Sequence, residues 1–196
     1  MGQERRFLAD FQALGQRSRQ RIHDDRRHHR ARSPAQRRRP KKDGAQAIGR
    51  SRGGLTTKIH VLVDALGNPV EVMLSPGQDH DLTCAESLIE AVDPGAVIAD
   101  KAFDADAFID ALNARAIAPV IPSKSNRKTP RPCDFALYCE RNLIERFFNK
   151  LKHFRAIATR YDKLAKIFLA GVQLACAAIL RAAIRQARSP PHDRRE

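Results

Sequence analysis

From Lys58 to Asp64 hydrophobic and polar positions alternate, with Ile59, Val61 and Val63 on one face, and the alternation returns at Val70, Val72 and Leu74 beyond Gly67-Asn68. Period two on both sides of a short turn predicts a β-hairpin. Ser75-Pro76-Gly77 ends it. From Asp81 to Val92 the period becomes helical: Leu82, Ala85, Leu88 and Ile89 share a face, Thr83 and Glu86 are spaced as a capping box, and Asp93-Pro94-Gly95 stops the helix. Ala96 to Ala99 is a short continuous apolar run of the kind buried at a sheet centre, and Asp100 stands at its C-terminal end. Asp104 to Arg115 reads as a second amphipathic helix with Phe108, Ile109 and Leu112 inward, and Ala118 to Ile121 as a strand stopped by Pro122. Two long helical segments follow, roughly Leu137 to Ala158 and Lys163 to Arg188. The order β-β-α-β-α-β, closed by helices, predicts an α/β layered domain.

Composition alters the picture mainly at the N-terminus. Residues 1–40 hold twelve Arg and no Lys with little apolar periodicity after Phe11 and Leu14, so this stretch is expected not to pack a core. Of the net charge of +14, residues 1–50 carry +10 and residues 51–196 carry +4. A chain this basic meets polyanions, nucleic acid first among them. The expected division is a basic disordered segment over 1–48, a folded domain over 49–188 whose packed part starts near Leu55, and a disordered tail over 189–196. Ser123 to Pro132 forms a basic loop long enough to be functional or mobile. The best membrane-span candidate, Ile167 to Leu180, falls short of the roughly 18 to 20 apolar residues needed and contains Gln173. No apolar segment of signal type opens the chain, so a cytoplasmic location with reduced thiols is expected. Cys84, Cys133, Cys139 and Cys176 lack zinc-ligand or disulfide-framework spacing and are read as buried or half-buried thiols.

The chemistry concentrates near residue 145. Tyr138, Arg141, Glu145 and Lys152 are separated by three, four and seven positions. At about 100° per residue they fall within an arc of roughly 60° on a helix. Leu143, Ile144, Phe147, Leu151 and Phe154 lie outside that arc, so Glu145 points away from the main packing face. Taken alone, the stripe is better explained as an exposed face with i,i+4 ion pairs, worth a few tenths of a kcal/mol each. Asp100 adds a second possibility: a carboxylate at a strand tip and another on a helix can converge on divalent cations for phosphodiester chemistry.

Tyr138-x2-Arg141-x3-Glu145-x6-Lys152 resembles the Y-R-E-K signature of bacterial insertion-sequence DDE transposases. Gly49 to His60, Pro76 to Asp81, Ile98 to Asp104 and Arg146 to Lys152 resemble other blocks of that family in the right order, so that the likeness covers about residues 41–185. The resemblance implies a ribonuclease-H-like fold and a D-D-E triad holding Mg²⁺ or Mn²⁺. Asp100 and Glu145 would be its second and third acids, with Arg141, Lys152 and Tyr138 in support. It further implies double-stranded DNA as partner, at transposon ends and target, a homo-oligomer when active, and a place at the bacterial nucleoid when DNA is bound. Candidate phosphate contacts are Arg50, Arg52, Lys124, Arg127, Lys128, Lys150, His153 and Arg155, for which an ordinary solvated surface is the competing explanation.

The family's first Asp lies on the opening strand, shortly before the Gly49 block, and no such block occurs here. Ile22 to Arg39 instead runs through an Arg- and His-rich stretch. Codons can be chosen so that the frame shifted by one nucleotide spells the missing block over eighteen positions, the Asp codon straddling those of Arg26 and Arg27. The expectation is therefore an out-of-frame N-terminal segment, a missing opening strand beside the Asp100 strand, and weak metal binding. Asp24 and Asp25 are poor substitutes, since the run around them offers no strand. His60 and His80 are read as structural histidines; Asp64, Asp79, Asp104 and Asp106 as turn and cap residues. A catalytically inactive DNA-binding remnant of the same fold and a basic RNA-binding protein are the rival functions, the second disfavoured by two Tyr, no Trp and Phe residues at core spacing.

Overall fold

A computed structural model describes residues 8–14, 44, 46–51, 54–90 and 92–188. Six strands form one mixed sheet: β1 (Leu8–Leu14), β2 (Gly49–Ser51), β3 (Gly54–Val63), β4 (Pro69–Pro76), β5 (Ala96–Ala99) and β6 (Ala118–Val120). The path runs β2-β3-β1-β5-β6, with β4 on β3. The helices are α1 (Ala85–Glu90), α2 (Asp106–Ala114), α3 (Phe135–Tyr138), α4 (Asn142–Lys152), α5 (Arg155–Ala158) and α6 (Ala165–Arg188).

The hairpin falls where the alternation placed it. β3 is rich in β-branched residues suited to a pleated surface, and it pairs antiparallel with β4 from Thr57↔Pro76 to Val63↔Pro69. Asp64 closes the turn by accepting from the Leu66 and Asn68 amides at 2.8 and 2.9 Å, and Gly67 supplies φ +77°. Period two then sorts the side chains into two cores. Leu62, Val97 and Ala99 pack under α1 and α2 with Leu88, Phe103, Phe108, Ile109 and Leu112. Ile59, Val61, Val63 and Val72 meet α4 and α6 through Ile144, Phe147, Phe148, Leu151, Phe168, Val172 and Ile179. Each of the fully buried side chains contributes about 1.5–3 kcal/mol.

Several expectations are corrected. The opening strand is not missing: β1 fills the slot between β3 and β5, antiparallel to the first and parallel to the second. Its place follows from hydrogen bonding, because two unpaired strand edges facing one another demand a strand between them. Packing also starts before Leu55, since Ala47 is buried and β2 is paired. The capping box at Thr83 and Glu86 does not form: Asp81–Cys84 is a 3₁₀ turn leading into α1, with His80 at its N-cap and no side-chain cap bond. The single helix expected from Leu137 to Ala158 is α3, a 3₁₀ turn at Cys139–Arg141, α4 and α5, broken after Lys152 at His153-Phe154. Finally, Ala165–Gln186 of α6 is long and apolar enough, by length and composition, to cross a membrane. Flanking alanines extend the run beyond Ile167 to Leu180, while Phe168, Val172, Ala175, Cys176 and Ile179 bury one face on the sheet. Among the thiols, Cys84 and Cys176 are buried, Cys133 is half-buried and Cys139 is exposed.

Candidate functional site

Strand direction fixes where the candidate residues gather. β5 and β6 run parallel, β1 runs with them, and β3 runs against β1, with Leu14 opposite Ile59 and Phe11 opposite Ala99. The carboxyl ends of β1, β5 and β6 and the amino end of β3 therefore share one end of the sheet. Open sheets place ligands at the carboxyl ends of their parallel strands. Asp100 leaves β5 at this end, the Ser123–Pro132 loop leaves β6 there, and the β2–β3 hairpin with Arg50 enters β3 there.

Asp100 is half-buried and caps the 3₁₀ turn Lys101–Phe103, its Oδ1 accepting from the Lys101 amide at 2.6 Å. α3 lies against β5 and β6, the Cys139–Arg141 turn against β5 and β1, and α4 against β1. The polar stripe therefore starts beside the strand that ends in Asp100. Within it the Arg141 guanidinium sits 5.6 Å from the Tyr138 ring centroid and donates to Glu145 Oε1 at 2.7 Å. Ring, guanidinium and carboxylate form one continuous string, with Glu145 still 46% exposed. Lys152 is exposed on the last turn of α4.

Two carboxylates are oxygen donors of the kind Mg²⁺ takes, yet among the described residues no three His, Cys, Asp or Glu side chains converge on one point. Each carboxylate also already has a hydrogen-bond donor of its own. In the backbone register Asp10 of β1 lies opposite Ile98 and Val63. Asp24 and Asp25 fall outside the described residues.

The basic loop is folded rather than loose. Asp104, almost wholly buried, accepts from the Lys124 amide at 2.8 Å, Arg127 Nε at 2.8 Å and Arg131 Nη1 at 2.6 Å. Arg127 also reaches exposed Asp106 at 2.9 Å, and Arg131 bonds the same carboxylate. Burial pushes the Asp104 carboxyl upward, but the Arg127 and Lys124 hydrogen bonds and two guanidinium charges outweigh it and hold the group below the usual carboxylate range. Asp104 is thus an ion-pair hub where a turn residue was expected, and Arg127 is committed to carboxylates. Lys124 and Lys128 rim the concavity between this loop and Asp104. Arg50 is exposed on β2; Lys150, His153 and Arg155 are exposed around the α4–α5 junction; Arg52 lies outside the described residues.

A second polar group stands at the same sheet end. Lys58 donates to Asp81 Oδ1 at 2.6 Å and to the Asp79 carbonyl at 2.7 Å. Behind it buried His60 shares a 2.8 Å hydrogen bond with Ser75, while its Nδ1 is buried without a partner among the described residues. Burial pushes the His60 pKa down, only partly opposed by the Asp81 charge. Sequence spacing carried no sign of Arg131 or Arg160, since their partners lie 27 and more than 100 positions away.

A family model described as the transposase DDE domain matches residues 15–180. A Brucella ovis protein named as a transposase of insertion sequence element IS6501 is 45% identical over 130 residues, which span 64% of this chain and 98% of that protein. A Burkholderia cepacia protein named for insertion sequence element IS402 is 30% identical over 158 residues, 74% of this chain and 72% of that protein.

Proposed function

Because the chain belongs to the DDE transposase family of bacterial insertion sequences, we propose that it carries the ribonuclease-H-like core of an enzyme that cuts double-stranded DNA at an element's ends and joins the freed 3′-hydroxyl to target DNA. The observation that supports this reading is that the Tyr138–Arg141–Glu145 string begins on turns packed against β5, the strand that ends in Asp100.

Asp100 and Glu145 are the carboxylates meant for Mg²⁺ or Mn²⁺. Divalent cations, when bound, polarise the attacking oxygen and stabilise the leaving one. Around them the chain's own groups set position. Arg141, sandwiched between the Tyr138 ring and the Glu145 carboxylate, fixes the Glu145 side chain and holds its charge neutralised. Lys124 and Lys128, with Arg50, Lys150, Lys152, His153 and Arg155, offset phosphate charge along the duplex, and positioning with charge neutralisation supplies most of the rate. The enzyme works in the cytoplasm at the nucleoid, as a homo-oligomer.

The three-acid set is incomplete, and residues before about Lys41 are read out of frame. A non-catalytic DNA-binding remnant of the same fold is the second reading. Cleavage of end-labelled duplex with Mg²⁺, by this chain and by one with the frame restored before Lys41, decides between them. Cleavage by the restored chain alone, abolished by Glu145→Ala with DNA affinity retained, is the expected result. No cleavage by either chain defeats the catalytic reading. A shifted frame without an Ile-Asp pair near codons 26 and 27 removes the out-of-frame explanation.

A further inference from the structure

Arg160 is 2% exposed, a guanidinium sealed inside the protein between α5 and α6. Its contacts reach far along the chain. Nη1 donates to the Ala47 carbonyl at 3.1 Å and to the Thr57 hydroxyl, and Nη2 to the Gln46 carbonyl at 2.9 Å. Nε donates to the Asp162 carbonyl at 2.9 Å, and the guanidinium lies 4.8 Å from the Phe168 ring centroid. Thr57 in turn donates to the Ala47 carbonyl at 2.5 Å, and Gln46 Oε1 accepts from the Ala165 amide at 2.9 Å. Burying a guanidinium is costly unless its donors are filled, and here the Gln46-Ala47 backbone supplies two of the acceptors.

That backbone is held against its own preference. Ala47 sits at φ +49°, a left-handed conformation that costs a non-glycine residue of order 1 kcal/mol or more and persists only where surroundings enforce it. Two residues on, Gly49 lies so close under Gln78 that an added Cβ would fall 1.4 Å from its Oε1. From clamp and glycine the chain leads directly into β2 and Arg50, at the sheet end where Asp100 lies.

We propose that Arg160 is a positioning residue for DNA: its buried guanidinium fixes Gln46-Ala47 so that the β2–β3 hairpin presents Arg50 to the phosphate backbone beside the catalytic corner. The inference rests on the DNA reading above. It differs from a purely structural role in predicting that Arg160 and Arg50 act as one unit in binding.

The test uses the full chain and a fluorescently labelled duplex titrated by anisotropy over a range of salt. Arg50→Ala removes one phosphate contact and lowers the slope of log K against log[salt] by about one unit. Arg160→Lys, folded by circular dichroism, is expected to lower it by the same amount, and the double variant no further. Thr57→Val, which keeps side-chain shape but removes the hydroxyl joining Arg160 to Ala47, gives a smaller loss in the same direction and serves if Arg160→Lys does not fold. Amide exchange at residues 48–51 is expected to quicken in both clamp variants. A folded clamp variant with the parental slope, or losses that add in the double variant, overturns the proposal. If Arg50→Ala leaves the slope unchanged while other basic substitutions reduce it, the hairpin is not a contact and the DNA reading stands. If the parent binds no duplex, both fall.

Discussion

Removing the Asp104 carboxylate with Asp104→Ala tests whether the basic loop is held by buried electrostatics. The side chain is 2% exposed and receives three donors, one backbone amide and two guanidinium groups. Breaking a buried ion pair from one side costs about 3–5 kcal/mol, because the remaining charge loses its partner without regaining water. Here Arg127 and Arg131 keep 18% and 27% side-chain exposure and both retain Asp106, which brings the expected loss to about 2–3 kcal/mol. For a chain of this size that is a fall of roughly 4–12 °C in Tm. Asp106→Ala, at a carboxylate 70% exposed, is expected to cost markedly less. Urea unfolding followed by circular dichroism compares the two. The Asp104 pKa is lowered in the folded protein, so its contribution is present above the ordinary carboxylate range and is lost as pH falls through the folded value. Equal losses from the two substitutions, or an Asp104→Ala loss unchanged at a pH below both Asp104 values, would refute the reasoning.

Other outcomes follow from the same geometry. His60 is kept neutral by burial with its pKa below 6.5, so its share of stability is full above about pH 6.5 and declines as pH falls toward the lowered value; His60→Gln should flatten unfolding free energy against pH in that window. Glu145→Gln should abolish Mg²⁺-dependent cleavage in the frame-restored chain while duplex affinity by anisotropy changes less than about twofold. Phe168→Ala, at a side chain 1% exposed and stacked on Arg160, should cost about 3–5 kcal/mol by denaturant unfolding, whereas Leu174→Ala, 73% exposed on the other side of α6, should stay within about 0.5 kcal/mol.

Elements with a strong local period were legible in the sequence. The β3–β4 hairpin, the β5 strand ending at Asp100, the inward faces of α1 and α2, and α6 all lie where their spacing put them, since burial on one face is what writes the period. The opening strand was not legible. Leu8–Leu14 is embedded in an Arg-rich stretch, and its place comes from two neighbouring strands 40 to 90 residues further on rather than from its own pattern. The helix interruption at Cys139–Arg141 escaped for a related reason: a tighter turn leaves hydrophobic spacing nearly intact over three residues. Of the candidate site, the Tyr138–Arg141–Glu145 string was readable because helical neighbours three and four apart meet. The fates of Asp104, Arg127 and Arg160 were not, since their partners are joined by folding and not by spacing.

β1 has a consequence for the order in which the protein assembles. Among the described residues the β3–β4 pair and the β5–β6 pair exchange no ladder bonds with each other; β1 is the strand that joins them. β1 precedes both partners in the chain and must therefore wait for strands made later, and the two half-sheets are not laddered together until it docks. Such long-range closure is slow, which makes docking of this strand the step at which nascent chains are most exposed to proteolysis and edge-to-edge association.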